Sequence, residues 1–98
     1  MGKFNLTKKA IDDLSNIWDY TFEVWSENQA DKYFNQLIST CQEIADNELE
    51  GKSYNGIKEH LLGTKSNRHI IFYRKMSADY VEITRILHER MDFKKKLT

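Results

Sequence analysis

RHIIFYRKMSADYVEITRILHERMD, running from Arg68 to Asp92, is the stretch whose reading decides the fold. Ile70, Ile71, Phe72 and Tyr73 crowd its first half, and Val81, Ile83, Ile86 and Leu87 its second. β-Branched and aromatic residues suit a pleated, half-buried surface, so Arg68 to Lys75 and Tyr80 to Leu87 are expected to be strands. Met76-Ser77-Ala78-Asp79 lies between them and predicts a hairpin with a loop of about four or five residues. The charges here are mostly positive: Arg68, Arg74, Lys75, Arg85 and Arg90. Arg74 and Arg85 interrupt apolar strands, where an unpaired charge is costly to bury. Each must meet a carboxylate, reach solvent or face a partner. If its role is structural, Arg85 would pair with Glu82 or with a helix acid.

Upstream of the hairpin, Ile57 to Leu62 is expected to form a short strand and Gly63 to Asn67 a turn. Asp46 to Gly56 is polar, with Gly51 and Asn55-Gly56 as turn signals. Before it, Ala30, Tyr33, Phe34, Leu37, Ile38, Cys41, Ile44 and Ala45 recur at helical spacing. Ser26, with Gln29 three residues later, matches a capping box at the start of that helix. An earlier helix runs from Lys8 to about Trp25, with Ile11, Leu14, Ile17, Trp18, Phe22 and Trp25 expected on its buried side. Asp12, Asp13, Asp19 and Glu23 give it an acidic outer face, and Thr7 is a plausible N-cap. Lys3-Phe4-Asn5-Leu6 alternates polar and apolar residues as a short first strand would. The link between the helices is so short that they should form an antiparallel αα-hairpin.

The order β-α-α-β-β-β predicts an α+β fold: an antiparallel αα-hairpin packed on one face of a small, mostly antiparallel sheet. Ile70/Phe72 and Ile71/Tyr73 make both faces of one strand apolar, and helices can cover only one. The other face is therefore expected to be an uncovered partner surface. Residues 1–98 make one domain, with 90–98 as a basic tail that either forms a last helical turn or stays mobile. Removing Arg90 to Thr98 is expected to impair function more than folding, since the helices and hairpin carry the core.

Charge is unevenly spread. Residues 1–50 hold four Lys/Arg against ten Asp/Glu, and residues 51–98 hold eleven against five, giving −6 and +6 within a net charge of zero. The halves either neutralise each other across the fold or offer a basic surface to an acidic partner. No apolar run approaches the roughly 20 residues that span a bilayer, and the N-terminus has no apolar signal segment, so no membrane partner is expected. The single Cys41 falls on the apolar face of the second helix, where it reads as a buried small hydrophobe. A lone thiol fits a reducing cytoplasm. His60 and His69 have no cysteine at ligand spacing, so neither a metal nor another cofactor is expected.

Nearly the whole chain resembles the ParE branch of the RelE/ParE toxin superfamily, the plasmid-stabilisation type. The likeness runs through Ala10, Asp13-Leu14, Ile17-Trp18-Asp19-Tyr20 and Trp25, then Gln29-Ala30 and Tyr33 to Leu37. Its most specific parts are His69-Ile70-Ile71-Phe72-Tyr73-Arg74, Ile83, Arg85-Ile86-Leu87-His88 and Arg90-Met91-Asp92. One departure is His60-Leu61-Leu62, where members often carry Gly-Leu-Arg, so a commonly basic position is apolar here. The resemblance implies a cytoplasmic, non-enzymatic toxin that inhibits DNA gyrase, with a ParD-like antitoxin that wraps it and binds the operator DNA.

On those terms Arg85, His88, Arg90, Lys94, Lys95 and Lys96 are candidate target contacts, and Arg68, Tyr73 and Arg74 candidate antitoxin contacts. Tyr73 is expected to bring its hydroxyl to the surface. The alternative from another class is a ribosome-dependent mRNA endonuclease of the RelE or YoeB type, for which His88, Arg85 and Glu59 could supply acid, base and phosphate cation. A pI near 6.8 argues against a dedicated ribosome binder. A third reading is an inactive structural or regulatory relative.

Overall fold

The computed structural model describes residues 1–97. Strand β1 (Lys3–Leu6) leads through the N-cap Thr7 into α1 (Lys8–Val24), and Ser26 caps α2 (Glu27–Ala45). Both caps act as the sequence suggests: Thr7 Oγ1 accepts the Ala10 N–H at 3.2 Å, and Ser26 Oγ accepts the Gln29 N–H at 3.1 Å. Then follow β2 (Lys52–Ser53), β3 (Leu62–Ser66), β4 (His69–Ser77), β5 (Tyr80–His88) and a terminal helix α3 (Phe93–Leu97). The sheet order is β1-β5-β4-β3-β2, with β1 parallel to β5 and the other pairs antiparallel.

The helical hairpin covers one face of this sheet. Ala10 and Leu14 of α1, and Leu37, Cys41 and Ile44 of α2, pack with Ile71, Tyr73, Val81, Ile83 and Ile86. Ile83 and Ile86 share that face although they are three residues apart, which simple alternation forbids. A register shift resolves this: Phe72 pairs with Arg85 but Tyr73 with Ile83, so Thr84 is an extra residue in β5. The bulge re-aims everything beyond it, including Arg85. Trp18 ties the helices together, donating from Nε1 to Asp31 Oδ1 at 3.0 Å and stacking on Phe22.

Several sequence expectations are corrected. Ile57 to Leu62 is a turn up to the last residue of that run. Tyr54 C=O accepts the Ile57 and Lys58 N–H groups, Tyr54 N–H donates to Leu61, and Asn55 Oδ1 accepts the His60 N–H at 2.8 Å. The strand lies one step later, in Leu62-Gly63-Thr64-Lys65-Ser66, whose composition hides it. The hairpin loop is two residues, Ala78-Asp79, because β4 continues through Met76 and Ser77. Trp25, Phe22 and Ile11 are not core residues; Trp25 is 72% exposed at the turn between the helices.

The second sheet face is not bare either. Leu61, Ile70, Phe72 and Leu87 form their own cluster, covered by Tyr54, Ile57, Phe93 and Leu97. Phe93 meets Phe72 edge-on at 5.0 Å, and Leu97 is buried. The C-terminal segment is thus a docked helix and part of the fold, so it cannot be removed as a purely functional appendage. Tyr73 is likewise corrected. It is fully buried on the helix side, its hydroxyl has no hydrogen-bond partner among the described residues, and a Cβ at Gly51 would collide with that oxygen. Its hydroxyl does not reach the surface in this fold.

Candidate functional site

Four of the eight basic candidates, Arg68, Arg85, His88 and Lys96, gather where α1 passes β4 and β5. A concavity of about 600 Å3 opens there, walled by Ile17, Tyr20 and Trp25 on one side and by Arg68, His69 and His88 on the other, with Met91 and Lys96 at its rim. Tyr20 and Trp25 are largely exposed at 67% and 72%, which places a broad aromatic surface beside cations. Cys41 lies elsewhere, fully buried, with its thiol pushed up to about 12 by desolvation.

Hydrogen bonding organises the floor. His69 and His88 face each other in register across β4 and β5, with ring centroids 5.3 Å apart and nearly perpendicular. Tyr33 reaches in from α2, its hydroxyl 2.6 Å from His69 Nδ1. The Arg68 N–H donates to the same hydroxyl at 3.3 Å, leaving the Tyr33 proton for Nδ1. Burial, with His88 next to it, lowers His69 to about 4, which keeps the ring neutral and able to accept that proton. Burial also raises the Tyr33 hydroxyl above its ordinary value. His88 Nδ1 accepts the Arg90 N–H at 3.1 Å, fixing the start of the turn that leads to α3.

Arg85 is the hinge of the arrangement. Its Nε and Nη2 donate to Asp13 Oδ2 and Oδ1 at 2.8 and 2.9 Å, a bidentate pair with side chains 19% and 13% exposed. Asp13 Oδ2 also accepts the Ile86 N–H at 2.9 Å, and Arg85 Nη1 donates to the Lys96 carbonyl at 3.1 Å. One guanidinium therefore joins α1, β5 and α3. The hydrogen bond that Arg85 donates to Asp13 raises Arg85 further, so it stays charged. The expected helix acid is the partner; Glu82 instead lies opposite Arg74 across the β4–β5 ladder.

The other candidates fall in different places. Arg68 lines the concavity and sits 3.7 Å from Glu89, which also meets Lys65 at 3.0 Å. The Lys65 hydrogen bond, ahead of other causes, lowers Glu89 below its ordinary range. Arg90, Lys94 and Lys95 are exposed on the C-terminal segment. Arg74 and Glu59 line a separate groove with Arg85, not with His88. Glu59 is 87% exposed and lies 3.8 Å from His60. The trio His88, Arg85 and Glu59 is therefore not assembled around one point. Among the described residues no group of three or more His, Cys, Asp or Glu could hold a metal ion, and no helix is long and apolar enough to cross a membrane.

Sequence reasoning missed Tyr20 and Trp25 as surface residues, and it anticipated a helix acid for Arg85 without singling out Asp13. Signals for both were present. Trp25 immediately precedes the Ser26 cap, at a hairpin tip that has little to bury it. Asp13 lies between Ala10, Leu14 and Ile17 on an inward-turned face, as Arg85 lies in an inward-turned strand.

Three comparisons bear on this geometry. The family model described as "ParE toxin of type II toxin-antitoxin system, parDE" matches residues 4–93, ending just before Lys94. Toxin ParE1 of Caulobacter vibrioides is 32% identical over 92 residues, 94% of either chain. Toxin ParE1 of Mycobacterium tuberculosis (strain CDC 1551 / Oshkosh) is 28% identical over 96 residues, 98% of either chain. A chain from the solved "Chromosomal ParDE TA system from P. aeruginosa" superposes with a TM-score of 0.74, covering 90% of this chain and 96% of that one at 18% identity, a likeness of fold.

Proposed function

Since this chain belongs to the ParE toxin family of type II toxin–antitoxin systems, we propose that it acts by inhibiting DNA gyrase and is neutralised by a ParD-like antitoxin. The observation that carries an inhibitor reading over a nuclease reading is the state of the ionisable groups. Cleaving RNA through its 2′-hydroxyl takes a base near its titration range, an acid for the leaving oxygen and a cation for the phosphate. Here His69 is held neutral by burial, the Tyr33 hydroxyl is committed to it, and Arg85 spends its donors on Asp13 and Lys96. Each of these groups is tied to a neighbour within the fold, and Glu59 lies outside the concavity that holds His88, which supports a surface built to bind.

Two kinds of contact suit it. Tyr20, Trp25 and Met91 offer apolar anchors beside Arg68 and Lys96, the complement of an acidic amphipathic segment of an antitoxin. His88, Arg90 and the exposed side chains of Lys94, Lys95 and Lys96 form the C-terminal rim that would meet gyrase, with Arg85 holding that rim in place. Sequence-specific recognition of the operator would belong to the antitoxin.

A supercoiling assay with purified gyrase, run beside a translation assay that follows mRNA integrity, tests this. Inhibited supercoiling with intact mRNA is expected. Cut mRNA with normal supercoiling would replace the proposal with the endonuclease reading and make His88 the residue to mutate, and no effect in either would leave an inactive relative.

A further inference from the structure

A second groove, of about 400 Å3, shares Arg85 and Lys96 with the aromatic concavity and has a different chemistry. Lys8 and Lys9 enter it from the first turn of α1, Lys58 from the turn before β3, Arg74 from β4 and Lys96 from α3. None of these five cations forms an ion pair among the described residues. Among the described residues two carboxylates, Glu59 and Glu82, share the wall and leave positive charge in excess, while Arg85 is already matched by Asp13.

Gathering like charges works against the compact state. The first turn of α1 adds to the effect: it holds no acid and two lysines at the helix end where acids are stabilising. An anionic ligand would offset this excess. Among the described residues the only aliphatic side chains on the wall are Leu61 and Leu97, both buried in the second cluster, and neither offers an exposed apolar anchor. Protein partners draw most of their binding free energy from such anchors. A phosphodiester backbone needs only spaced cations.

We infer that this groove binds the phosphodiester backbone of DNA, giving the toxin a sequence-independent nucleic-acid contact of its own. The contact stands apart from the gyrase proposal, since it is measured on the toxin and DNA alone. Local cations suffice although the net charge is zero, because Coulomb attraction falls with distance and the groove's cations lie nearest the bound phosphates.

The test is fluorescence anisotropy of a labelled DNA duplex of about 20 base pairs with the purified full chain, repeated across a salt series. Binding is expected at low salt, with log Kobs against log salt falling at a slope of about −3 to −4. The double substitution Lys9→Gln, Arg74→Gln should weaken binding about tenfold and make the slope shallower by about 2. Both side chains are exposed, so a circular dichroism spectrum and urea midpoint like the parent's are expected. Lys32→Gln with Lys52→Gln, the same charge change outside the groove, should leave binding within about twofold. Absent binding, or equal loss in the two double variants, would overturn the assignment. Displacement of DNA by poly-glutamate at equal charge concentration would overturn it in favour of acidic protein segments.

Discussion

The two faces of the sheet are both dry, but they are made dry by different means. The helix side is covered by two long amphipathic helices whose apolar residues repeat along 17 and 19 residues. The other side is covered by scraps: Tyr54 and Ile57 from an irregular turn, and Phe93 and Leu97 from a helix of five residues. A helix that short has no independent stability in water. It is held by what it buries and by the Arg85 hydrogen bond to Lys96. The comparison teaches that the basic C-terminal rim is only as well placed as two apolar side chains and one guanidinium make it.

The strongest way to break this comparison is Phe72→Ala. If the second face belongs to the same cooperative unit as the first, urea denaturation should show a loss of about 3–5 kcal/mol in one transition. A small loss, or two separate transitions, would make that face a peripheral layer. Next in size is deletion of Phe93 to Thr98. It uncovers Phe72, Ile70 and Leu87 and should cost about 3 kcal/mol, from two lost apolar side chains at about 1.5–3 kcal/mol each. Stability unchanged by the deletion would show that Tyr54 and Ile57 suffice as cover.

Asp13→Ala sharpens the role of the hinge. It strands a mostly buried guanidinium and the Ile86 N–H, with an expected loss of about 2–3 kcal/mol. It should also raise amide exchange in Phe93 to Leu97 more than in α2. Equal exchange in the two would separate Asp13 from the C-terminal helix.

The smallest effect concerns pH. His69 titrates at about 4 in the folded protein against an ordinary 6.5, so the unfolded chain binds more protons between those values. Its contribution is fully present above 6.5 and is lost as pH falls toward 4. After discounting for a ring that is only half-buried, the difference between wild type and His69→Gln should shrink by about 1 kcal/mol over that window. A difference independent of pH would mean that the Tyr33–His69 pair does not select the neutral ring.

Legibility followed the range of the signal. β1, both helices, their two caps and the β4–β5 pair were readable because apolar spacing, a hydroxyl before a helix and runs of β-branched residues act over a few neighbours. β3 was displaced in the reading because Leu62-Gly63-Thr64-Lys65-Ser66 has little strand character and becomes a strand by pairing with β4. Of the site, the basic character of the hairpin that carries Arg68 and Arg85 was legible, but the gathering of Arg68, Arg85, His88 and Lys96 around one concavity was not. The burial of Tyr73, the exposure of Trp25 and the partner of Arg85 were not.

By itself the sequence determined β1, the two long helices and the β4–β5 pair, that the two helices fold back on each other, and that positive charge concentrates after residue 50. Only the tertiary structure decided that Asp13 meets Arg85 across 72 positions, that Leu97 anchors the basic rim, and that Lys8 and Lys9 join Arg74 and Lys96 around one groove. The reason is physical. Periodicity specifies which face of an element turns inward. Which charge it then meets depends on the order of the strands and on a one-residue bulge at Thr84 that turns Arg85 toward α1.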